Sequence, residues 1–214
     1  MAEKEKSSLK KRLKKIIIIL MIFVFSMVIW AYYSGNKVEE VNYTVSQLGN
    51  KVKGHIISAF DGNAIAIWGV IDAPAEHVWK VIRDKKNFEK YLPYVKKSVV
   101  TKLDDNKYQQ QQVFELPFGT YEFKHKVWFE EEPNTYVSNW QQEEGVIAVN
   151  RGAWIVHKSE NKTLLEYRIR FETQWVPVWF SNAYMKQRLK VIVKKLRERI
   201  KNLEQTNPEY FKTK

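Results

Sequence analysis

The sequence predicts an α+β protein: one membrane-spanning helix, then a single domain whose curved, seven-stranded antiparallel sheet wraps around a long C-terminal helix. Three observations predict it. Residues 16–33 form an uncharged apolar run. Residues 64–173 break into short β-rich segments separated by turn residues at hairpin spacing. Residues 178–205 repeat apolar side chains at helical spacing over a greater length than any other stretch of the domain.

The run IIIILMIFVFSMVIWAYY is interrupted only by Ser26. As a helix it spans roughly 27 Å, which just suffices for a hydrocarbon core of about 30 Å. Trp30, Tyr32 and Tyr33 stand at its end, where amphipathic rings favour the lipid–water boundary. A cleaved signal peptide is the first alternative, but its apolar stretch is shorter and ends in small residues, whereas this run exits through Ala31-Tyr32-Tyr33-Ser34-Gly35. A buried core helix is the second, and it rarely needs so long an uncharged run. Lys4, Lys6, Lys10, Lys11, Arg12, Lys14 and Lys15 precede the run, while Lys37, Glu39 and Glu40 follow it. The positive-inside rule therefore places the N-terminus in the cytoplasm and the domain outside, in the periplasm if the cell is bacterial. The expected division is a basic cytoplasmic tail (1–15), a single-pass anchor (16–33), a stalk (34–55), a domain (56–205) and a tail (206–214).

The net charge of +12 is concentrated at the two ends. Residues 1–15 hold seven basic and two acidic side chains, residues 183–214 hold ten and three, and the segment between 34 and 182 is balanced. Basic charge usually points to nucleic acid. An extracytoplasmic location and the lack of a recognition motif argue against it, so no nucleic-acid partner is expected. The sequence has no cysteine, which excludes disulfides, thiolate metal sites and a cysteine nucleophile.

Within the stalk, Val45, Leu48 and Val52 have the spacing to begin a short helix. Residues 64–71 (AIAIWGVI) are rich in β-formers and read as the first strand. Asp72-Ala73-Pro74-Ala75-Glu76 marks a helix start: Asp72 or Ala73 can cap, Pro74 is preset for the first turn, and Glu76 favours the positive helix end. Val78, Trp79, Val81 and Ile82 give that helix its apolar face, and a second short helix is expected around 87–91. Strands follow near 95–103, 107–116, 120–131, 135–142, 146–157 and 163–173. They are punctuated by Asp104-Asp105-Asn106, Pro117-Phe118-Gly119, Glu132-Pro133-Asn134, Glu144-Gly145 and Glu160-Asn161. The final helix sets Leu189, Ile192, Val193, Leu196, Ile200 and Leu203 on one face and a row of Lys and Arg on the other. That basic face reads equally as a surface for anionic lipid head groups or as an ordinary solvated face.

These residues resemble a known family. The segment Ile71-Asp72-Ala73-Pro74-Ala75-Glu76-His77-Val78-Trp79-Lys80-Val81-Ile82-Arg83-Asp84, then Phe88 and Tyr91-Leu92-Pro93, is similar to the opening of the SRPBCC superfamily. This helix-grip group includes START lipid-transfer domains, polyketide cyclase-like proteins and coenzyme Q-binding proteins. Gly152-Ala153-Trp154, Leu165-Glu166-Tyr167-Arg168-Ile169 and Val176-Pro177 ahead of the long helix also match its pattern. The likeness covers about residues 60–203; the anchor lies outside it. It implies a cavity between the sheet and the long helix that holds a hydrophobic ligand such as a lipid, an isoprenoid or a quinone. The alternatives are a cyclase-like enzyme on a hydrophobic substrate and a protein-interaction domain with no ligand.

Strand alternation nominates the lining of that cavity. Tyr121, Phe123 and His125 share one face of the 120–131 strand, and His125 can hydrogen-bond a ligand oxygen or be satisfied internally. Gln110 and Gln112 share a face of the preceding strand and can offer amides to a head group or lie on a solvent-facing edge. Trp154 and Tyr167 fall on plausible inward faces, as ligand contacts or as core. The four histidines show no metal-ligand spacing, there is no glycine-rich phosphate loop, and the paired glutamates sit at turns. No cofactor, metal or catalytic residue is therefore nominated, and enzymatic activity is left open, leaning against.

Overall fold

The structure is a computed structural model that describes residues 2–116 and 119–212, with the side chains of 2–11 and 116 left aside. The turn read at Pro117-Phe118 lies outside the described residues. Helix α1 (Ala2–Asn36) is long and apolar enough to cross a bilayer. Its 35 residues reach about 52 Å at 1.5 Å each. A one-turn helix α2 (Val45–Leu48) follows, closed by a capping box between Thr44 and Gln47.

The domain is built on one antiparallel sheet of eight strands, not seven: β1 (Val52–Ala59), β2 (Gly62–Ile71), β3 (Val95–Asp104), β4 (Lys107–Leu116), β5 (Gly119–Glu132), β6 (Thr135–Gly145), β7 (Val149–Lys158) and β8 (Thr163–Glu172). The seven strands expected from the sequence are present with ends within three residues of those read. The additional strand is β1, which begins inside the segment read as stalk. It lies at the sheet edge, paired along its length with β2 and touched on its other side only near Ile56, and its residues are mostly half-covered, so its alternation is blurred by Lys53, Gly54 and His55. The rest of the supposed stalk also packs. Leu48 is buried with Ala66, Trp68, Val70 and Leu164 in a small core on the convex face, and Tyr43 lies edge-on to Trp68 at 5.8 Å.

The strand order is β1-β2-β8-β7-β6-β5-β4-β3. Strands β3 to β8 form a meander, and β2 closes onto β8. Between β2 and β3 the chain crosses to the far edge through α3 (Ala75–Arg83) and a 3-10 turn (Lys85–Lys90). Pro74 occupies the α3 cap position, so neither Asp72 nor Ala73 caps it. Val78, Trp79, Val81 and Ile82 bury the apolar face of α3 as its spacing dictates.

The long C-terminal helix is interrupted at Leu189 into α4 (Val178–Arg188) and α5 (Lys190–Thr206). Helix α5 lays Ile192, Val193, Leu196, Ile200 and Leu203 on the concave face against Ile56, Ile65, Ile67, Ile71, Val156 and Leu165. Its basic face is partly engaged: Arg197 donates to the Val70 carbonyl at 2.7 Å, and Lys195 pairs with Glu198 at 2.9 Å. The tail is folded too. A final turn α6 (Glu209–Lys212) stacks Phe211 on His77 at 4.0 Å, and the Tyr210 hydroxyl donates to Asp84 at 3.0 Å.

Helix α1 docks on α4. Ala31 is buried, the Lys186 ammonium donates to the Ser34 carbonyl at 2.8 Å, and the Asn182 amide to the Gly35 carbonyl at 3.3 Å. Gly35 is needed there, because a Cβ would lie 1.7 Å from the Trp179 carbonyl oxygen. Lys37 and Glu39 then run beside Ile56. The end of α1 therefore sits directly against the domain.

Candidate functional site

The period-two alternation of β4 and β5 sends Tyr108, Gln110, Gln112 and Phe114, and Tyr121, Phe123, His125, Val127 and Phe129, to the concave face. Register brings them into pairs: Gln110 opposite His125, Gln112 opposite Phe123, Phe114 opposite Tyr121. Gln110, Gln112, Phe123 and His125 are buried and Tyr121 is half-buried, so the two glutamines do not form a solvent-facing edge. Trp154 and Tyr167 pair across β7 and β8, ring against ring at 4.6 Å, and both are buried. All seven nominated residues thus share one interior surface. Burial pushes the Tyr167 phenol well above its ordinary value.

Trp140 on β6 joins the ring cluster, stacked on Tyr167 at 5.4 Å. It lies flat over Gly152, where a Cβ would meet the indole at 2.4 Å. This placement fixes a hydrogen-bond chain. The indole N–H can only donate, and it donates to Asn150 Oδ1 at 3.4 Å. The Asn150 amide N–H therefore faces His125 and donates to its Nε2 at 3.0 Å. With Nε2 accepting, the neutral ring carries its proton on Nδ1, and that N–H is buried with no hydrogen-bond partner. His125 is held well below the ordinary histidine range, at about 4, first by burial and then by the nearby charge of Lys85.

Lys85 is the residue that periodicity does not reveal. It opens the 3-10 turn beneath β3, where Ser98 Oγ donates to its carbonyl at 2.7 Å and itself accepts from Gln110 Nε2 at 2.9 Å. The residue is only 3% exposed. Burial pushes its amine down to about 7. The ammonium lies 4.8 Å from the Phe88 ring centre and 5.7 Å from that of Phe129. A cleft of about 220 Å³, lined by Arg83, Lys85, Val100, Tyr108 and Phe129, opens onto this end of the interior. A neighbouring cleft of about 600 Å³ shares Arg83 and Phe129 with it and adds Asn106, Glu130 and Glu131. At this mouth Arg83 pairs with Glu131 at 3.1 Å, and Glu131 also accepts from the Trp79 indole at 3.0 Å. Among the described residues no three His, Asp or Glu side chains converge as a metal site would require. None of the seven nominated residues lines either cleft; the cleft at Lys85 meets their surface through Tyr108 and Phe129.

Residues 71–200 match the family model described as polyketide cyclase / dehydrase and lipid transport. No curated protein matches the chain by sequence. Three solved structures show the same fold. A fragment of a STAR-related lipid transfer protein from Xanthomonas axonopodis is 14% identical, with a TM-score of 0.61 over 77% of this chain and 98% of that one. Human StAR-related lipid transfer protein 5 is 13% identical, with a TM-score of 0.64 over 88% and 98%. The Zhui aromatase/cyclase from Streptomyces sp. R1128 is 11% identical, with a TM-score of 0.55 over 65% and 94%. At such identities these likenesses speak for the helix-grip, START-like fold alone. The family match spans most of the chain, so the protein belongs to the polyketide cyclase / dehydrase and lipid transport family.

Proposed function

We propose that this member of the family binds an apolar ligand (a lipid, an isoprenoid or a quinone) inside the sheet, while α1 holds the domain at a bilayer. One observation carries the reading. The concave face near β3, β4 and β5 buries Gln110, Gln112 and His125 beside aromatic rings, and the cleft at Lys85 opens onto that face. Buried polar groups cost stability unless paired, and an unpaired His125 N–H costs about 1–3 kcal/mol. A ligand oxygen inside the cavity would remove that cost, and each buried CH₂ would add about 0.8 kcal/mol of binding.

The anchor reading rests on the length and exposed apolar surface of α1 and on its dock against α4. Trp175, Phe180 and Tyr184 expose their rings on α4 and the loop before it, near the end of α1, where interfacial aromatics are favoured. The domain would then stand on the membrane itself, outside the cytoplasm by the charge of residues 1–15, and exchange ligand with the bilayer beneath it. The test is native mass spectrometry of the full chain purified from its own membranes in an uncharged detergent, with organic extraction of whatever copurifies. One apolar molecule per chain is expected. A chain that is consistently empty, and that takes up none of the lipids or quinones added back, would overturn the reading. Protease protection in sealed cells tests the orientation: cleavage of the domain only from the cytoplasmic side would reverse it.

A further inference from the structure

The fold leaves one cation inside without a counterion. The Lys85 ammonium makes no hydrogen bond and no ion pair among the described residues; its neighbours there are the faces of Phe88 and Phe129. Buried lysines are ordinarily matched by a carboxylate. The acids around this one are committed elsewhere. Asp84 accepts from Asn87 and Tyr210. Glu89 accepts from the Ser98 backbone N–H. Glu131 is taken by Trp79 and Arg83. Ring faces offset only part of the lost hydration of an ammonium. Farther along the same concave surface, the buried His125 Nδ1–H is a second donor without a partner. Ser138 Oγ, opposite Phe129 on β5, is buried without a partner as well. Unmatched donors on one concave surface, the charged one lining the cleft, call for an anionic acceptor rather than for a quinone carbonyl or a hydroxyl.

We propose that Lys85 receives the oxyanion of an acidic amphiphile, a carboxylate or a phosphate, whose tail lies along the aromatic interior, with His125 Nδ1 donating to an oxygen of the same ligand. The proposal rests on the apolar-ligand reading above and narrows it to acids. It makes Lys85 the residue that discriminates an acid from its neutral counterpart. Arg83 lines the same cleft but stands at its mouth, paired with Glu131, and is half exposed.

The test uses the full chain in an uncharged detergent with four probes: cis-parinaric acid and its methyl ester, and dioctanoyl phosphatidic acid and dioctanoylglycerol, the last two read by displacement of bound probe. The wild type is expected to bind at least one acid about tenfold or more tightly than its neutral partner, and the arm that shows the preference names the head group. Lys85→Met is expected to bring that ratio to within about twofold while holding the neutral partner to within about threefold. A wild-type ratio near one in both arms, or a ratio that Lys85→Met leaves unchanged, overturns the proposal. Failure of all four probes to bind the wild type strikes the apolar-ligand reading itself, a distinct outcome. If Lys85→Met does not fold, the wild-type parinaric acid-to-ester ratio between pH 6 and 9 decides. Of the groups around the ammonium, His125 is neutral throughout this range. The ratio should therefore fall by up to about tenfold per pH unit above neutrality. A flat ratio overturns the proposal.

Discussion

The two halves of the concave face are both buried and chemically opposite. Under α5, the half formed by β1, β2, β8 and β7 presents Ile56, Ile65, Ile67, Ile71, Leu165 and Val156 to Val193, Leu196 and Ile200, every one of them at most 2% exposed. Toward β3, β4 and β5, the same surface carries Ser98, Gln110, Gln112 and His125, joined by Asn150 and covered from below by Lys85, all under 9% exposed. The first half makes no demand beyond close packing. The second holds polar groups that burial penalises, and it satisfies them unevenly. Ser98, Gln110 and Asn150 have partners, whereas the His125 N–H is buried without one and the Lys85 ammonium, at the cleft, faces the rings of Phe88 and Phe129. Close packing in the first half stabilises the fold, and the unpaired polar groups of the second offset part of that gain. On the reading proposed above, the second half is the part kept for binding.

The comparison can be broken by substitution on either side. Leu196→Ala, in the packed half, should lower stability by about 2–5 kcal/mol, as large-to-small changes at fully buried sites do. Chemical denaturation would check it, and a loss under about 1 kcal/mol would mean that α5 is not seated as described. Lys85 sharpens the other half through pH. In the fold its amine titrates near 7, against the ordinary 10.5 of an unfolded chain. Below 7 both states carry the proton and the fold bears the full cost of burying it. Between 7 and 10.5 the folded state has released the proton while the unfolded chain retains it, so stability rises with pH, by about 1.4 kcal/mol per unit. The ligand-free wild type, measured against Lys85→Met across that window, should gain on the variant at that slope. Parallel curves would show an ammonium that is solvated or paired. The smallest effect is expected at His125→Phe. Deleting an unpaired N–H, at the cost of the Asn150 contact, should change stability by less than about 1 kcal/mol. It should weaken the acidic probe about fivefold to tenfold, as loss of one hydrogen bond does. Unaltered affinity would remove His125 from the site.

These halves were unequally legible in the sequence. Alternation along β4 and β5 identifies Gln110, Gln112, Tyr121, Phe123 and His125 as one face, because a strand has only two sides and the aromatic residues declare which is inward. The helical spacing of Leu189 to Leu203 likewise announces the element that covers the other half. Lys85 has no such signal. It sits in Asp84-Lys85-Lys86, which reads as solvated charge, and only the 3-10 turn rolls Lys85 under β3 while its neighbour Lys86 remains exposed. Strand β1 was hidden for a related reason. An edge strand is paired on one side and half-covered, so polar residues interrupt its pattern without penalty. Residues 43–48 looked like a spacer because the surface they cover, Ala66, Trp68, Val70 and Leu164, is the convex face of strands that already bury their other side.

The most direct test of the division is photo-crosslinking of the full chain in membranes with a long-chain acid bearing a terminal alkyne and a mid-chain diazirine, followed by peptide mapping. The account predicts labelled residues on the inner face of β3, β4 and β5 and on the 3-10 turn 85–90, with labelling competed by excess unmodified acid. Labelling confined to α1, or to the packed face of α5 and β8, would contradict it.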